Sequence, residues 1–108
     1  MSEKPKTQDE IIQDLTTEIK TSSPFFLTKN QKKFIDTQRN IYLRSIDKES
    51  HRLVEQYKGK NVDLDKKIEP KLKEMTIRFM KSELQFYKEV KENPRLLEDE
   101  IKIINPND

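Results

Sequence analysis

The side chains that could carry out catalysis or bind a metal are few in this sequence and are scattered. His51 is the single histidine, and it lies between Ser50 and Arg52 in a charged segment. The chain has no cysteine, which excludes disulfides, thiolate metal sites and thiol nucleophiles. A metal site centred on His51 would need a second nitrogen or sulfur ligand, which the chain does not supply. We therefore expect no catalytic residue and no bound metal.

The acidic clusters are better explained as helix caps and solvated surface than as a binding site. Asp63 with Asp65, and the acidic run at 98–100, lack the neighbouring glycines of an oxygen-rich calcium loop. Gly59 is the only glycine, so a phosphate-binding loop is also excluded. The sequence thus predicts a protein that is not an enzyme and has neither a cofactor nor a small-molecule substrate.

Helix-start signals divide the chain. Thr7 and Glu10 form a capping box, in which each side chain accepts a hydrogen bond from the other residue's backbone amide. Apolar residues follow at helical spacing and predict a first helix over 8–21, after a flexible N-terminus at 1–7. Pro24 cannot continue that helix, so residues 22–28 are assigned to a linker. The apolar residues of the first helix are Ile11, Ile12, Leu15 and Ile19.

Two longer helices, at about 29–58 and 64–92, are predicted to form an antiparallel hairpin over 29–92. Thr28 and Gln31 form a second capping box, and Gly59 provides a left-handed stop after the second helix. Asn93-Pro94 ends the third helix. Pro70 leaves two alternatives open, because the third helix either begins near it, with 64–69 as a lead-in, or kinks there.

One apolar stripe on each long helix is assigned to a coiled-coil seam between them. These seam residues are Ile35, Tyr42, Ile46, Leu53, Leu72, Met75, Phe79, Phe86 and Val90. The third helix carries a second stripe about 120° around its axis. This stripe consists of Ile77, Met80, Leu84 and Tyr87. Because packing on one neighbour needs one apolar face, the second stripe is predicted to meet a partner chain.

The linker contains the motif Ser-Pro-Phe-Phe-Leu at 23–27, which has two interpretations. Phe25 and Phe26 either fill the corner between the first two helices or anchor the protein in a partner's groove. Buried aromatic residues contribute much of the binding energy of protein interfaces. We assign the pair to partner binding.

Composition also favours a chain that uses partners. Charged residues make up 39% of it and hydrophobic residues 31%, well below the roughly 45–50% apolar content of average globular proteins. One helical domain over 1–108 would therefore be elongated, or would complete its core with another protein. The C-terminal tail at 93–108 is apolar, and Ile101-Lys102-Ile103-Ile104 reads as a short strand or an apolar anchor.

Charge and targeting signals leave one rival function open. Residues 28–62 contain nine Lys/Arg against four Asp/Glu, a net charge of +5 in a chain whose total is +2. A basic helical protein could bind nucleic acid or anionic lipid through residues 29–60. No signal peptide, transit peptide or transmembrane segment is recognisable, so we expect a cytoplasmic or nuclear location.

Together these features predict an all-α, elongated helical hairpin with a short N-terminal helix and an apolar tail. The leading hypothesis is a small, non-enzymatic structural subunit or adaptor of a multiprotein complex, which contacts other subunits through helical bundle and coiled-coil seams. Two alternatives remain. One is the basic nucleic-acid or lipid binder, and the other is a small inhibitor or regulator that caps an enzyme.

Overall fold

A computed structural model describes residues 5–98 of the protein, and this part of the chain forms three helices. They are α1 (Gln8–Ser22), α2 (Lys29–Tyr57) and α3 (Leu64–Glu92), and the described residues contain no strand. The radius of gyration is 18.4 Å, whereas a compact domain of this length has about 13 Å. The predicted all-α, elongated fold is confirmed. Residues 1–4 of the flexible N-terminus predicted at 1–7, and the predicted strand or anchor at 101–104, lie outside the described residues.

Local side-chain caps define the helix starts. Thr7 and Glu10 form the first capping box, and Thr28 and Gln31 form the second. Asp63 caps α3 by accepting hydrogen bonds from two backbone amides of its first turn. These caps stabilise the helices because the first amides of a helix have no carbonyl partner within it.

Glycine and proline act differently at the helix ends and inside α3. Gly59 follows α2 with a φ of +77°, a conformation that side chains with a Cβ disfavour. Pro70 does not mark the start of α3, because the helix begins six residues earlier at Leu64 and continues through it. The Pro70 carbonyl oxygen accepts a hydrogen bond of 2.9 Å from the Gln8 side chain. Pro70 is therefore also a contact between α1 and α3.

Helices α2 and α3 pack antiparallel through aromatic pairs. Phe34 stacks on Phe86 with ring centroids 4.6 Å apart, and Tyr42 stacks on Phe79 at 4.4 Å. The Tyr42 hydroxyl also lies 2.6 Å from the Thr76 hydroxyl. Of the predicted seam residues, Ile35, Leu53, Phe86 and Val90 are buried, and Tyr42, Ile46, Leu72, Met75 and Phe79 are half-buried.

Helix α1 lies along the other side of α3 and runs parallel to it. At its N-terminus, Gln8 contacts Pro70, and Asp9 forms an ion pair of 2.8 Å with Lys73. At its C-terminal end, Ile19 packs against the core cluster that includes Tyr87. Helix α1 is about 22 Å long and α3 about 43 Å, so α1 covers roughly half of α3. Helix α3 is therefore the central element of the fold.

The main core cluster lies where the linker, the start of α2 and the end of α3 meet. Ile35, Phe86, Tyr87 and Val90 form the cluster, and Ile19, Leu27, Leu96 and Leu97 pack against it. The last two belong to a turn that follows α3. Leu97 has a φ of +76°, which is unusual for a bulky residue. Its packing on the cluster offsets the cost of this conformation.

Gln31 connects these segments with hydrogen bonds. Its side chain is 1% exposed. Its amide nitrogen donates to the carbonyl oxygens of Pro94 and Leu96 at 2.9 and 3.1 Å. Its amide oxygen accepts from the Thr28 backbone amide at 2.9 Å. One carboxamide thus joins the linker, the first turn of α2 and the turn after α3.

Replacing Gln31 with leucine is expected to lower the free energy of unfolding by about 2–3 kcal/mol, because three backbone groups lose their partner at a part-buried junction. Gln31→Glu keeps the acceptor for Thr28 but cannot donate to the two carbonyls. It should destabilise the protein at least as much. Urea unfolding followed by circular dichroism measures both effects. The matched control is Gln13→Leu on exposed α1 surface, with an expected change within about 0.5 kcal/mol. Equal stability of the Gln31→Leu and control variants would contradict the proposed junction.

Candidate interaction surface

The second stripe of α3 is not an open face. Leu84 and Tyr87 are buried, and Ile77 and Met80 are half-buried. The reason is that α1 lies directly on α3 between Pro70 and the core cluster. The spacing of apolar residues indicates a second apolar face on α3 but does not indicate which helix covers it. These four residues were assigned to a partner because no second neighbour of α3 was known within the chain. Since α1 is that neighbour, the assignment no longer has this support.

A polar cluster, in which Glu83 and Tyr87 are buried and Arg39 is partly exposed, reinforces the contact between α2 and α3. The Arg39 guanidinium donates to the Glu83 carboxylate at 2.6 and 3.1 Å, and the Tyr87 hydroxyl donates to the same oxygen at 3.2 Å. This pairing raises the pKa of Arg39, so the guanidinium stays charged. Burial raises the pKa of Tyr87, and the Glu83 carboxylate raises it further. Sequence periodicity gave no sign of this cluster, because Arg39 and Glu83 lie outside the apolar stripes of the two long helices.

The linker presents its two aromatic residues to solvent. Phe25 is fully exposed and Phe26 is 72% exposed. Leu27, the next residue in the sequence, packs against the core cluster instead. The corner between α1 and α2 is therefore filled by Leu27 and not by Phe25 and Phe26. Phe25 and Phe26 form an exposed aromatic pair, called here the Phe pair.

A groove runs between α2 and α3 on one side of the hairpin. Its apolar floor is formed by Phe34, Ile35, Phe79 and Phe86, and its volume is about 490 Å³. We call this region the α2–α3 groove. A shallower depression of about 320 Å³ continues it past Ile41 along both helices. Phe34 and Ile41 remain 36% and 49% exposed. The predicted seam contains Ile35, Phe79 and Phe86 but neither Phe34 nor Ile41, which lie outside the apolar stripe of α2.

The basic residues of α2 are all exposed, but part of their charge is neutralised. Arg39 pairs with Glu83, Arg52 with Glu49, and Lys58 with Glu55. The pKa of Glu49 is lowered by its hydrogen bond to Arg52, as expected for an ion pair. The other Lys and Arg side chains of the basic segment 28–62 are Lys29, Lys32, Lys33, Arg44, Lys48 and Lys60.

Two further kinds of feature are absent from the described residues. No group of three His, Cys, Asp or Glu side chains within 5–98 is placed to hold a metal ion. None of the helices in that range is long and apolar enough to cross a membrane. His51 is exposed, with Nδ1 2.8 Å from the Asp47 carbonyl oxygen.

Comparisons with known proteins assign no family. No protein-family model matches the chain, and no curated protein or solved structure is significantly similar to it. Function must therefore be inferred from the surface itself. The exposed apolar side chains within residues 5–98 include the Phe pair and those along the grooves of the hairpin.

Tyr87 gives the fold a dependence on alkaline pH. Its pKa is raised in the folded protein, so the folded state holds the phenol proton more tightly than the unfolded state. This stabilisation is complete below about pH 10 and is lost as the pH rises through the folded pKa. The stability of the wild type relative to Tyr87→Phe is therefore expected to fall above about pH 10. Urea unfolding at a series of alkaline pH values measures this difference, and parallel curves would contradict the assignment.

The linker residues should differ sharply in their contribution to stability. Replacing both Phe25 and Phe26 with serine is expected to change the free energy of unfolding by less than about 0.5 kcal/mol, because both side chains are exposed. Leu27→Ser should cost about 1–2 kcal/mol, because it removes a half-buried side chain from the cluster. Thermal or urea unfolding distinguishes the variants. A large loss of stability in the double variant would show that the Phe pair belongs to the core.

Proposed function

We propose that this chain is a non-enzymatic small helical subunit or adaptor, which binds a partner protein through the Phe pair. The observation that carries this proposal is the full exposure of Phe25 next to a 72% exposed Phe26. Two large aromatic side chains held in water contribute nothing to the fold. Aromatic side chains bury 150–250 Å² each, so the pair would supply a strong anchor on binding.

The linker geometry suits recognition by a preformed groove. Pro24 restricts the backbone just before the pair, and Leu27 fixes the chain just after it. The Phe pair is thus held between two attached points, which lowers the entropy lost on binding. Lys20 and Lys29 are exposed on either side of the linker. The chemistry therefore favours a partner with an apolar groove and an acidic rim.

Substitution of the Phe pair tests the proposal with the intact chain. Tagged wild-type protein, purified from cells of its source organism, should retain a defined partner in a constant ratio. Phe25→Ser with Phe26→Ser should weaken that binding by about tenfold or more, because two interface anchors are removed. The matched control is Leu43→Ser, which replaces an exposed apolar residue away from the linker, on α2. It should bind as the wild type does.

Two outcomes would contradict the proposal. Undiminished binding by the double serine variant would exclude the Phe pair as the anchor. Retention of nucleic acid or anionic vesicles that falls steeply with added salt, with no protein partner, would favour the basic surface of α2. Circular dichroism of each variant verifies that the helices are intact.

A further inference from the structure

One wall of the α2–α3 groove and of its shallower continuation is a regular row of residues on α2. The row consists of Phe34, Gln38, Ile41 and Ser45, at spacings of four, three and four. This heptad spacing keeps the four residues on one face of the helix over about 16 Å. Phe34 and Ile41 are 36% and 49% exposed, so the row presents apolar surface to solvent.

The facing wall, on α3, repeats with the same spacing. It consists of Met75, Phe79, Ser82 and Phe86. Ser82 is small and lies between two phenylalanines, which leaves room for a side chain that enters the groove from outside. Two antiparallel helices with heptad-spaced walls form the kind of groove into which a further helix packs in a bundle. The shape of the groove therefore suits a helix.

Helix α1 does not occupy this groove. It contacts α3 at Pro70, at Lys73 and beside the core cluster. None of the residues that line the groove or its continuation belongs to α1. Within residues 5–98 the groove thus stays open along both walls.

The outer edge of the groove on α2 is basic. A rotation of about 100° per residue places Lys33, Arg44 and Lys48 together on this edge, just outside the lining residues. All three are exposed, and none of them belongs to an ion pair within residues 5–98. Asp36 and Asp47 lie on the side of α2 away from the groove. We call these three cations the basic edge.

The opposite edge, on α3, adds no charge of one sign. Lys81 and Glu89 both line the groove and have opposite charges. Arg78 forms an ion pair of 2.8 Å with Glu74. Glu83 also lines the groove, but its charge is already neutralised within the polar cluster. The electrostatic preference of the groove is therefore set by the basic edge.

We propose that the α2–α3 groove binds an amphipathic helix of another protein, and that this helix is acidic on the flank that faces α2. Its apolar residues cover Phe34 and Ile41, and its carboxylates lie against the basic edge. A helix of about three turns spans the walls. The Phe pair takes no part in this binding, so the proposal is independent of the function proposed above. An adaptor with both surfaces can connect two proteins.

Two synthetic peptides test the groove of the full-length protein. Each is a helix of about five turns with leucines at successive spacings of four, three and four. One carries glutamate along one flank, and the other carries lysine at the same positions. Calorimetric titration at low salt should show that the acidic peptide binds about tenfold more tightly, because three exposed charge pairs together contribute roughly that factor. Amide shift changes should centre on Gln38, Ile41 and Ser82.

Charge reversal of the basic edge provides the sharpest variant. Replacing Lys33, Arg44 and Lys48 with glutamate should reverse the preference, so that the lysine peptide binds more tightly. Ile41→Asp should weaken binding of the acidic peptide by about tenfold or more, because a carboxylate then lies on the apolar wall. The matched control is Leu43→Asp, since Leu43 is 60% exposed on the side of α2 away from the groove. It should bind as the wild type does, and circular dichroism verifies that each variant is helical.

Several results would overturn the proposal. They are failure of both peptides to bind, equal affinity for the two peptides, and acidic-peptide binding that Ile41→Asp leaves unchanged. A dimer of the chain that Ile41→Asp dissociates, detected by light scattering, would overturn it in favour of a second copy. The variant with serine at both positions of the Phe pair should bind the acidic peptide normally, which separates this test from that of the proposed function.

Discussion

The fold depends on one buried carboxamide. Gln31 is 1% exposed, and its side chain bonds to the linker before α2 and to the turn after α3. Buried polar groups stabilise a structure only when all their hydrogen bonds are formed, so these segments are fixed together rather than independently. Their attachment brings Leu27, Leu96 and Leu97 onto the core cluster. It also leaves the Phe pair outside the core.

The packing of helix α3 explains how a chain with few apolar residues forms an ordered fold. It packs against α2 through stacked rings and against α1 through Pro70, Lys73 and the core cluster. Two apolar faces of one helix are thereby used within the same chain, and few apolar residues are needed elsewhere. The long hairpin remains open along its sides, which produces the α2–α3 groove. The small core and the exposed groove therefore both result from the way α3 packs against α1 and α2.

Local signals predicted the helices well, and packing decided the rest. Capping boxes and the glycine after α2 were readable because they act within a few residues. The direction of α1 was not readable, since it depends on distant contacts such as Asp9 with Lys73. The burial of Leu84 and Tyr87 by the chain itself was therefore missed. Likewise, the motif at 23–27 left open whether Phe25 and Phe26 fill the corner between α1 and α2, and in the structure Leu27 packs there instead.

The measurement that tests this account most directly is the helicity and mass of the purified chain over a range of concentrations. Circular dichroism and light scattering on the same samples suffice. If α1 and α2 together satisfy both faces of α3, the chain is a helical monomer whose cooperative melting temperature does not depend on concentration. Low helicity in dilute samples that rises as the protein self-associates would contradict the account, because it would mean that α3 needs a second chain.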